Sequence, residues 1–172
     1  MPAPAAAAAL RALPLLLVLA TSPAMGEERR NWFNDPFAQA TRGLAACPVP
    51  EGPLLTEDEM RRQSHQRVER GTSCWLAKKC DGPNAYGDDA RLNATVVAAL
   101  SSDRRLQDTS LWVITQRRFV LVQGCIQNAA QKQVVVDAVR RLPGVEHMVD
   151  ELLIGTRGGP PYRVSAATSK RN

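Results

Sequence analysis

The spacing of apolar residues changes repeatedly in the second half of the chain, and this feature constrains the fold more than any other. Leu92, Val96 and Leu100 recur at the 3.6-residue period of a helix that lies on a core. Residues 110–115 and 119–126 then alternate with the two-residue period of strands, and they are close enough in sequence to pair as a hairpin. This pattern predicts a helix followed by two antiparallel strands.

A second helix and a third strand complete the same stretch. Asn128 and Gln131 can cap the start of this helix, and Gly144 is a natural stop after it. The residues that follow Gly144 alternate again as a strand. Residues 88–154 therefore predict an α+β domain with the order helix, strand, strand, helix, strand, in which a small three-stranded sheet carries two helices on one face.

The face of this sheet that points away from the helices is also apolar. It consists of Trp112, Ile114, Phe119, Leu121, Val149 and Leu153. We call it the second sheet face. A face open to water would carry polar residues, and burying each such side chain is worth about 1.5–3 kcal/mol. We therefore expect a cover, namely the N-terminal extension of residues 27–87, with a partner protein or a lipid surface as the alternatives.

The chain has four cysteines, and their even number predicts two disulfides formed in an oxidising compartment. They are Cys47, Cys74, Cys80 and Cys125. A zinc site is not expected, because the only histidines, His65 and His147, are not at ligand spacing from a cysteine. No metal or other cofactor is therefore predicted.

Three pairings of the cysteines are possible. We favour Cys74 with Cys80, which are near neighbours in sequence, and Cys47 with Cys125, which would staple the extension to the second sheet face. The second bridge would close a loop of about 80 residues, worth roughly 4–5 kcal/mol in the chain-entropy model.

Residues 1–26 have the pattern of a secretory signal peptide. Arg11 precedes an apolar run, and Ala24 and Gly26 are small at the expected cleavage site. The alternative is a membrane anchor, but the apolar run is shorter than the roughly 20 residues needed to span a bilayer. We therefore expect a periplasmic protein that is soluble after cleavage.

The sequence of the extension predicts two helices. Asp35 and Pro36 favour a short helix over residues 37–46, and Thr56 with Glu59 forms the capping-box pattern that opens a helix over residues 57–70.

Two further segments show no regular spacing of apolar residues. Residues 73–87 form a compact connector in which we expect Trp75 to be the buried anchor. Residues 155–172 have the composition of a disordered tail.

The chain is mildly basic, with a formal net charge of +5. Its basic residues occur as scattered pairs, which suit either a solvated surface or weak attraction to anionic lipid headgroups. The candidate lipid-binding residues are Arg104, Arg105, Arg117, Arg118, Arg140 and Arg141. A nucleic-acid partner is not expected outside the cytoplasm.

The stretch from Arg117 to Gly155 resembles the BON domain, a module of bacterial exported proteins, and the resemblance covers residues 88–154. The matching positions are Val120, Val122, Gly124, Ile126, Ala138, Gly144, Val145 and Leu152. Gly124 suits a close approach of two backbones, and Gly144 with Val145 suits a turn that returns an apolar residue to the core. Arg117 and Arg118 stand where the family commonly has a glycine-containing turn, so we expect a hairpin loop longer than two residues.

The resemblance implies a non-catalytic periplasmic module that binds phospholipid or other envelope components and supports envelope integrity under stress. The alternative is a protein–protein adaptor that docks through the second sheet face, or through Val134 and Val136 on the outer side of the second helix. An enzyme is not expected, because the sequence offers no Ser-His-Asp set, no cluster of metal ligands and no phosphate-binding loop.

Overall fold

A computed structural model describes Met1 and residues 27–80 and 82–166. The predicted signal peptide, apart from Met1, and residues 167–172 lie outside the described residues. The strands are β1 (Phe37–Arg42), β2 (Ser110–Gln116), β3 (Phe119–Ile126) and β4 (His147–Ile154). The helices are α1 (Glu57–Gly71), α2 (Ser73–Leu76), α3 (Asp89–Ser102) and α4 (Ala129–Arg140), with a 3₁₀ turn at Arg104–Leu106.

The four strands form one mixed sheet in the order β1-β2-β3-β4. Neighbours are antiparallel except for β3 and β4, which are parallel and joined through α4. The main core lies between one sheet face and the helices α3 and α4, and its fully buried residues include Val96, Leu111, Val122 and Val139. The predicted α+β class and the order helix, strand, strand, helix, strand are confirmed, and the sheet has one strand more than the three expected.

The additional strand, β1, occupies the segment for which the sequence predicted a helix. Residues Phe37–Arg42 pair with β2, and the Thr41 and Thr109 hydroxyls lie 2.8 Å apart in a buried hydrogen bond. Asp35 does not cap a helix, because its carboxylate binds the guanidinium of Arg67 on α1. Pairing with the open edge of β2 supplies the backbone hydrogen bonds of this segment, so tertiary context overrides the local helix signal.

The hairpin between β2 and β3 is tight, contrary to the expectation of a longer loop. Gln116 pairs with Phe119, and the two residues between them have positive φ, 50° at Arg117 and 64° at Arg118. Positive φ at both positions is the requirement of a type I′ turn, and it costs each arginine about 1–2 kcal/mol. The buried Asp89 carboxylate accepts both backbone N–H groups, at 2.5 and 2.8 Å, which offsets that cost.

Gly124 and Gly144 each occupy a position that requires glycine. At Gly124 φ is 135°, and a Cβ would lie 2.0 Å from the carbonyl oxygen of Ser110 on the neighbouring strand. At Gly144 φ is 92°, and the chain turns so that Val145 packs against the main core. A side chain at either glycine would strain the backbone.

The expected cover over the second sheet face is present. Cys47 is disulfide-bonded to Cys125 with an S–S distance of 2.01 Å, and both pack against Trp112 in a small buried cluster. Cys74 is bonded to Cys80 with an S–S distance of 2.17 Å. The structure therefore has the connectivity that the sequence favoured, and the extension lies across one end of the sheet.

The segment after β4 contacts the extension at Tyr162 and Val164, within the stretch of residues 155–172 for which the sequence predicts a disordered tail. The Tyr162 hydroxyl donates a 2.8 Å hydrogen bond to the carbonyl of Pro48, and Val164 forms a strand bridge with Pro50. This segment forms part of the cover, because it packs on the extension and its residues 161–163 line one wall of the space over the second sheet face. Its composition gave no sign of that contact.

Within the described ranges, no helix has both the length and the apolar character needed to cross a bilayer.

Candidate functional site

A cleft of about 650 Å³ separates the second sheet face from its cover. Its floor is formed by Ile114, Leu121 and Val149, and its walls by the loop at residues 52–55 and the segment at residues 161–163. The extension buries Ile114 to 6% exposure, whereas Val149 on the edge strand stays 44% exposed. The cleft therefore opens towards β4, and its volume lies in the range of small-ligand sites.

The floor also carries one polar pair. The side-chain N–H of Gln123 donates to a Glu151 carboxylate oxygen at 2.7 Å. Gln123 is only 8% exposed, and its carbonyl oxygen accepts no hydrogen bond from any described residue. A buried acceptor without a partner costs about 1–3 kcal/mol, and such a group is uncommon in folded proteins.

The walls of the cleft are held by a network of ion pairs. Glu59 lies 3.1 Å from the Arg29 guanidinium and 3.0 Å from that of Arg163, while Arg29 also pairs with Glu51 at 3.0 Å. Glu59 caps the start of α1 together with Thr56, as the sequence predicted. These charges are matched within the wall, so they fix its position.

A smaller cavity of about 410 Å³ adjoins the cleft and is basic. It is lined by Gln63, Gln66, Arg67, Arg70, Tyr86, Gln116, Arg117 and Phe119. Gln63, Gln116 and Phe119 line the cleft as well, so the two spaces adjoin each other at these three residues. We call this smaller space the basic cavity.

One of its arginines has a structural role. Both Asp35 carboxylate oxygens accept from Arg67, at 2.8 and 2.5 Å, and the Arg67 guanidinium lies 3.9 Å from the ring centre of Phe33. Burial raises the pKa of the Tyr86 hydroxyl beside it, and the positive charge of Arg67 opposes that shift. Arg67 thus docks α1 on the segment that precedes β1, which leaves Arg70 and Arg117 as the charges that face the cavity.

Four of the six candidate arginines lie at one end of the sheet, which we call the hairpin end. Arg117 and Arg118 form the turn, and Arg118 donates to the carbonyls of Gly144 and Lys79, each at 2.9 Å. Arg140 and Arg141 end α4, only a few residues before Gly144, so they belong to the same end.

The other two candidate arginines lie at the opposite end of the sheet. Arg104 and Arg105 form the 3₁₀ turn that precedes β2. The Arg105 side chain is bound to Asp103, and this contact lowers the pKa of Asp103 to about 2. The six residues therefore do not form one patch.

The connector places two apolar side chains in solvent near the hairpin end. Trp75 is 48% exposed and Leu76 is 71% exposed, so Trp75 is not the buried anchor that the sequence predicted. Arg118 contacts the carbonyl of Lys79, and an Arg117 guanidinium nitrogen lies 3.5 Å from the Ser73 hydroxyl. The short Cys74–Cys80 loop is thereby tied to the arginine turn. The sequence did not indicate that Trp75 and Leu76 are exposed, because tryptophan and leucine side chains are mostly buried in folded proteins.

The second docking surface considered for an adaptor is not available. Val136 is 7% exposed, and Val134 packs partly against the main core. The sequence placed both on the outer side of α4, but α4 sits in the groove between α3 and β4, which widens its buried face.

The two histidines and Asp150 each contact another side chain of the fold. His65 pairs with Glu69 on exposed α1, and His147 packs against the Phe119 ring at 5.5 Å between ring centres. Asp150 forms an ion pair with Lys132 at 2.5 Å. Among the described residues, no group of three or more His, Cys, Asp or Glu could hold a metal ion.

Comparison with known proteins agrees with this geometry. Residues 88–156 match the BON domain family, a family without catalytic activity, and no enzyme family is found. No curated protein matches the chain. The match begins at the start of α3 and ends just after β4, so the extension, with most of the cover and the connector, lies outside it. Residues 88–156 of this chain are a BON domain, which suggests a non-catalytic binding module.

Proposed function

We propose that the chain is a periplasmic binding module that associates with anionic phospholipid at the surface of the bacterial envelope and supports envelope integrity. The observation that carries this proposal is the hairpin end. There, exposed apolar side chains of the connector lie beside the arginines of the β2–β3 turn. The two disulfides are consistent with export.

The physical argument combines two weak attractions. A lysine or arginine close to an anionic leaflet contributes about 1 kcal/mol, and Trp75 can place an amphipathic ring at the headgroup level. Leu76 adds apolar area that is exposed in the free protein. Neither term alone gives stable attachment, but both act on the same surface, because the connector contacts the turn.

Liposome flotation tests this proposal. We expect the full chain to float with vesicles that contain phosphatidylglycerol and not with vesicles of pure phosphatidylcholine. Raising the salt concentration from about 50 to about 500 mM should weaken this binding on the order of several-fold or more. Binding that ignores both lipid charge and salt would contradict the proposal.

Matched variants locate the surface. The double substitution Trp75→Ser and Leu76→Ser should reduce flotation at least about fivefold without lowering stability, because both side chains are exposed in the free protein. Arg104→Ser, at the opposite end of the sheet, is the control and should leave flotation unchanged. Equal losses in the two variants would mean that the hairpin end is not the membrane-facing surface.

A protein adaptor is the second candidate, and one observation favours it. The extension covers the second sheet face except for the cleft, which is large and open on the β4 side. An adaptor would be captured with an envelope protein and would not float with liposomes of any composition.

A further inference from the structure

The cleft combines an apolar floor with a row of side-chain amides. Gln63 on α1, Gln116 at the end of β2 and Gln123 on β3 all line it. Gln116 uses its N–H group on Asp35, at 2.6 Å, and Gln123 uses its own on Glu151. The Gln123 carbonyl oxygen, in a side chain more than nine-tenths buried, is left as an acceptor without a partner.

These amides decide between two kinds of apolar occupant. A lipid chain in the cleft would remove water from the half-buried side chains of Gln63, Gln116 and Glu151, and it would leave the buried Gln123 oxygen without a hydrogen bond. Each buried polar group left unpaired costs about 1–3 kcal/mol. A peptide offers an N–H and a carbonyl at every residue, so it can satisfy the amides while its side chains cover Ile114 and Leu121. The chemistry of the cleft therefore favours a peptide.

The two adjoining spaces differ in charge at their far ends. Glu151 lies beside Gln123 at one end, whereas Arg70 and Arg117 line the basic cavity at the other end. Between these ends, β3 runs four residues, from Phe119 to Gln123, a distance of about 13 Å at roughly 3.3 Å per residue. An extended peptide rises by nearly the same amount per residue, so about four residues span the space.

We propose that the cleft binds an extended peptide segment of about four residues that places a basic group at Gln123 and Glu151 and a carboxylate at Arg70 and Arg117. The segment carries small apolar side chains between these ends, because the floor is formed by Ile114, Leu121 and Val149. The extension outside the BON domain contributes one wall and Arg70, so this site belongs to the whole chain. It shares Arg117 with the hairpin end but does not include Trp75 or Leu76, and it goes beyond the proposed association with lipid.

The probe is a synthetic peptide with an N-terminal lysine, three valines and a free C-terminal carboxylate. Binding to the full chain is measured by titration and followed at the side-chain amide signals of the glutamines by NMR. We expect saturable binding that shifts the Gln123 amide signals, and a loss of about tenfold in affinity in Gln123→Leu, which corresponds to one hydrogen bond. Absence of binding at millimolar peptide, or equal affinity in the variant, would overturn the proposal.

A second pair of measurements does not depend on a buried substitution. Arg70→Glu reverses an exposed charge on α1, and Arg62→Glu on the same helix lies outside both cavities and is the matched control. Arg70→Glu should weaken binding of the free-carboxylate peptide several-fold and leave binding of its C-terminal amide unchanged, while Arg62→Glu should affect neither. Identical effects of the two substitutions, or of Arg70→Glu on the two peptides, would show that no carboxylate binds in the basic cavity.

Titration with a monomeric lysophospholipid tests whether the cleft binds an acyl chain instead of a peptide. If the lipid displaces the peptide and binds Gln123→Leu more tightly than the wild type, the cleft holds an acyl chain and the peptide proposal is wrong. Flotation of Gln123→Leu with anionic vesicles separates the two proposals. Unchanged flotation with lost peptide binding supports a peptide site that is independent of membrane association, whereas lost flotation would show that the cleft itself is the lipid site.

Discussion

At the scale of single residues, Asp89 explains how two arginines occupy a turn that favours asparagine and glycine. Its carboxylate is 1% exposed and accepts the backbone N–H groups of Arg117 and Arg118. Burial raises the pKa of Asp89, while the two backbone hydrogen bonds oppose that shift. Asp89 is the first residue of α3, and its carboxylate binds the turn across the domain.

Replacing Asp89 by alanine should therefore destabilise the protein by about 2–3 kcal/mol, because two N–H groups in strained turn residues lose a charged acceptor. Asp88→Ala is the control, since Asp88 makes an exposed ion pair with Arg91, and it should cost less than about 0.5 kcal/mol. Chemical denaturation of both variants measures the difference. Similar losses in the two would show that Asp89 is not the anchor of the turn.

At the scale of elements, the two disulfides join very different lengths of chain. Cys47 and Cys125 are 78 residues apart and connect the extension to β3, whereas Cys74 and Cys80 are six residues apart within the connector. The chain-entropy model values these loops at roughly 4–5 and 2 kcal/mol. The first disulfide also holds the cover over Trp112, so its effect reaches the second sheet face.

The paired variants Cys47→Ala with Cys125→Ala and Cys74→Ala with Cys80→Ala should differ accordingly. We expect the first pair to lower the free energy of unfolding by about 2–3 kcal/mol more than the second. Guanidinium denaturation gives the magnitudes, and the fluorescence of the tryptophans reports whether the cover opens. Peptide mapping of the unreduced wild type checks the connectivity, and a mixed pairing would contradict the structure.

At the scale of the whole molecule, the segment after β4 joins the extension and fixes the cover in place. Tyr162 is 8% exposed and donates its hydroxyl hydrogen to Pro48 in the extension. Burial raises the pKa of Tyr162 to about 12, above its ordinary value of 10. The neutral hydroxyl is therefore favoured in the folded protein.

A pH titration tests this contact between Tyr162 in the segment after β4 and Pro48 in the extension. Because the folded pKa lies above the unfolded value, the stabilisation by Tyr162 is complete below pH 10 and is lost as the pH rises towards 12. Absorbance at the tyrosinate band in Tyr86→Phe, which leaves Tyr162 as the one remaining tyrosine, should show a midpoint well above 10. A midpoint near 10 would mean that the segment does not pack on the extension.

The sequence alone determined the order of elements within the BON domain, the need for a cover and the preferred cysteine pairing. These features depend on local period and on chain distance, as in the stripe of Leu92, Val96 and Leu100, and such information is present in every window of the sequence. The capping box at Thr56 is equally local. Gly124 can be assigned to a close backbone approach from the sequence because glycine has no side chain. The structure agrees, since a Cβ there would lie 2.0 Å from the carbonyl oxygen of Ser110.

Only the tertiary structure decided that residues 37–42 form a strand, that the β2–β3 turn is tight and that Tyr162 packs on the extension. In each case a partner far away in sequence supplies the stabilising contact, namely the edge of β2, the carboxylate of Asp89 and the carbonyl of Pro48. The cleft depends on such contacts, because its walls come from the extension and from the segment after β4, and its floor comes from the BON domain. Local propensity carries no record of such distant partners, and this is the physical reason that the site could not be predicted from the sequence.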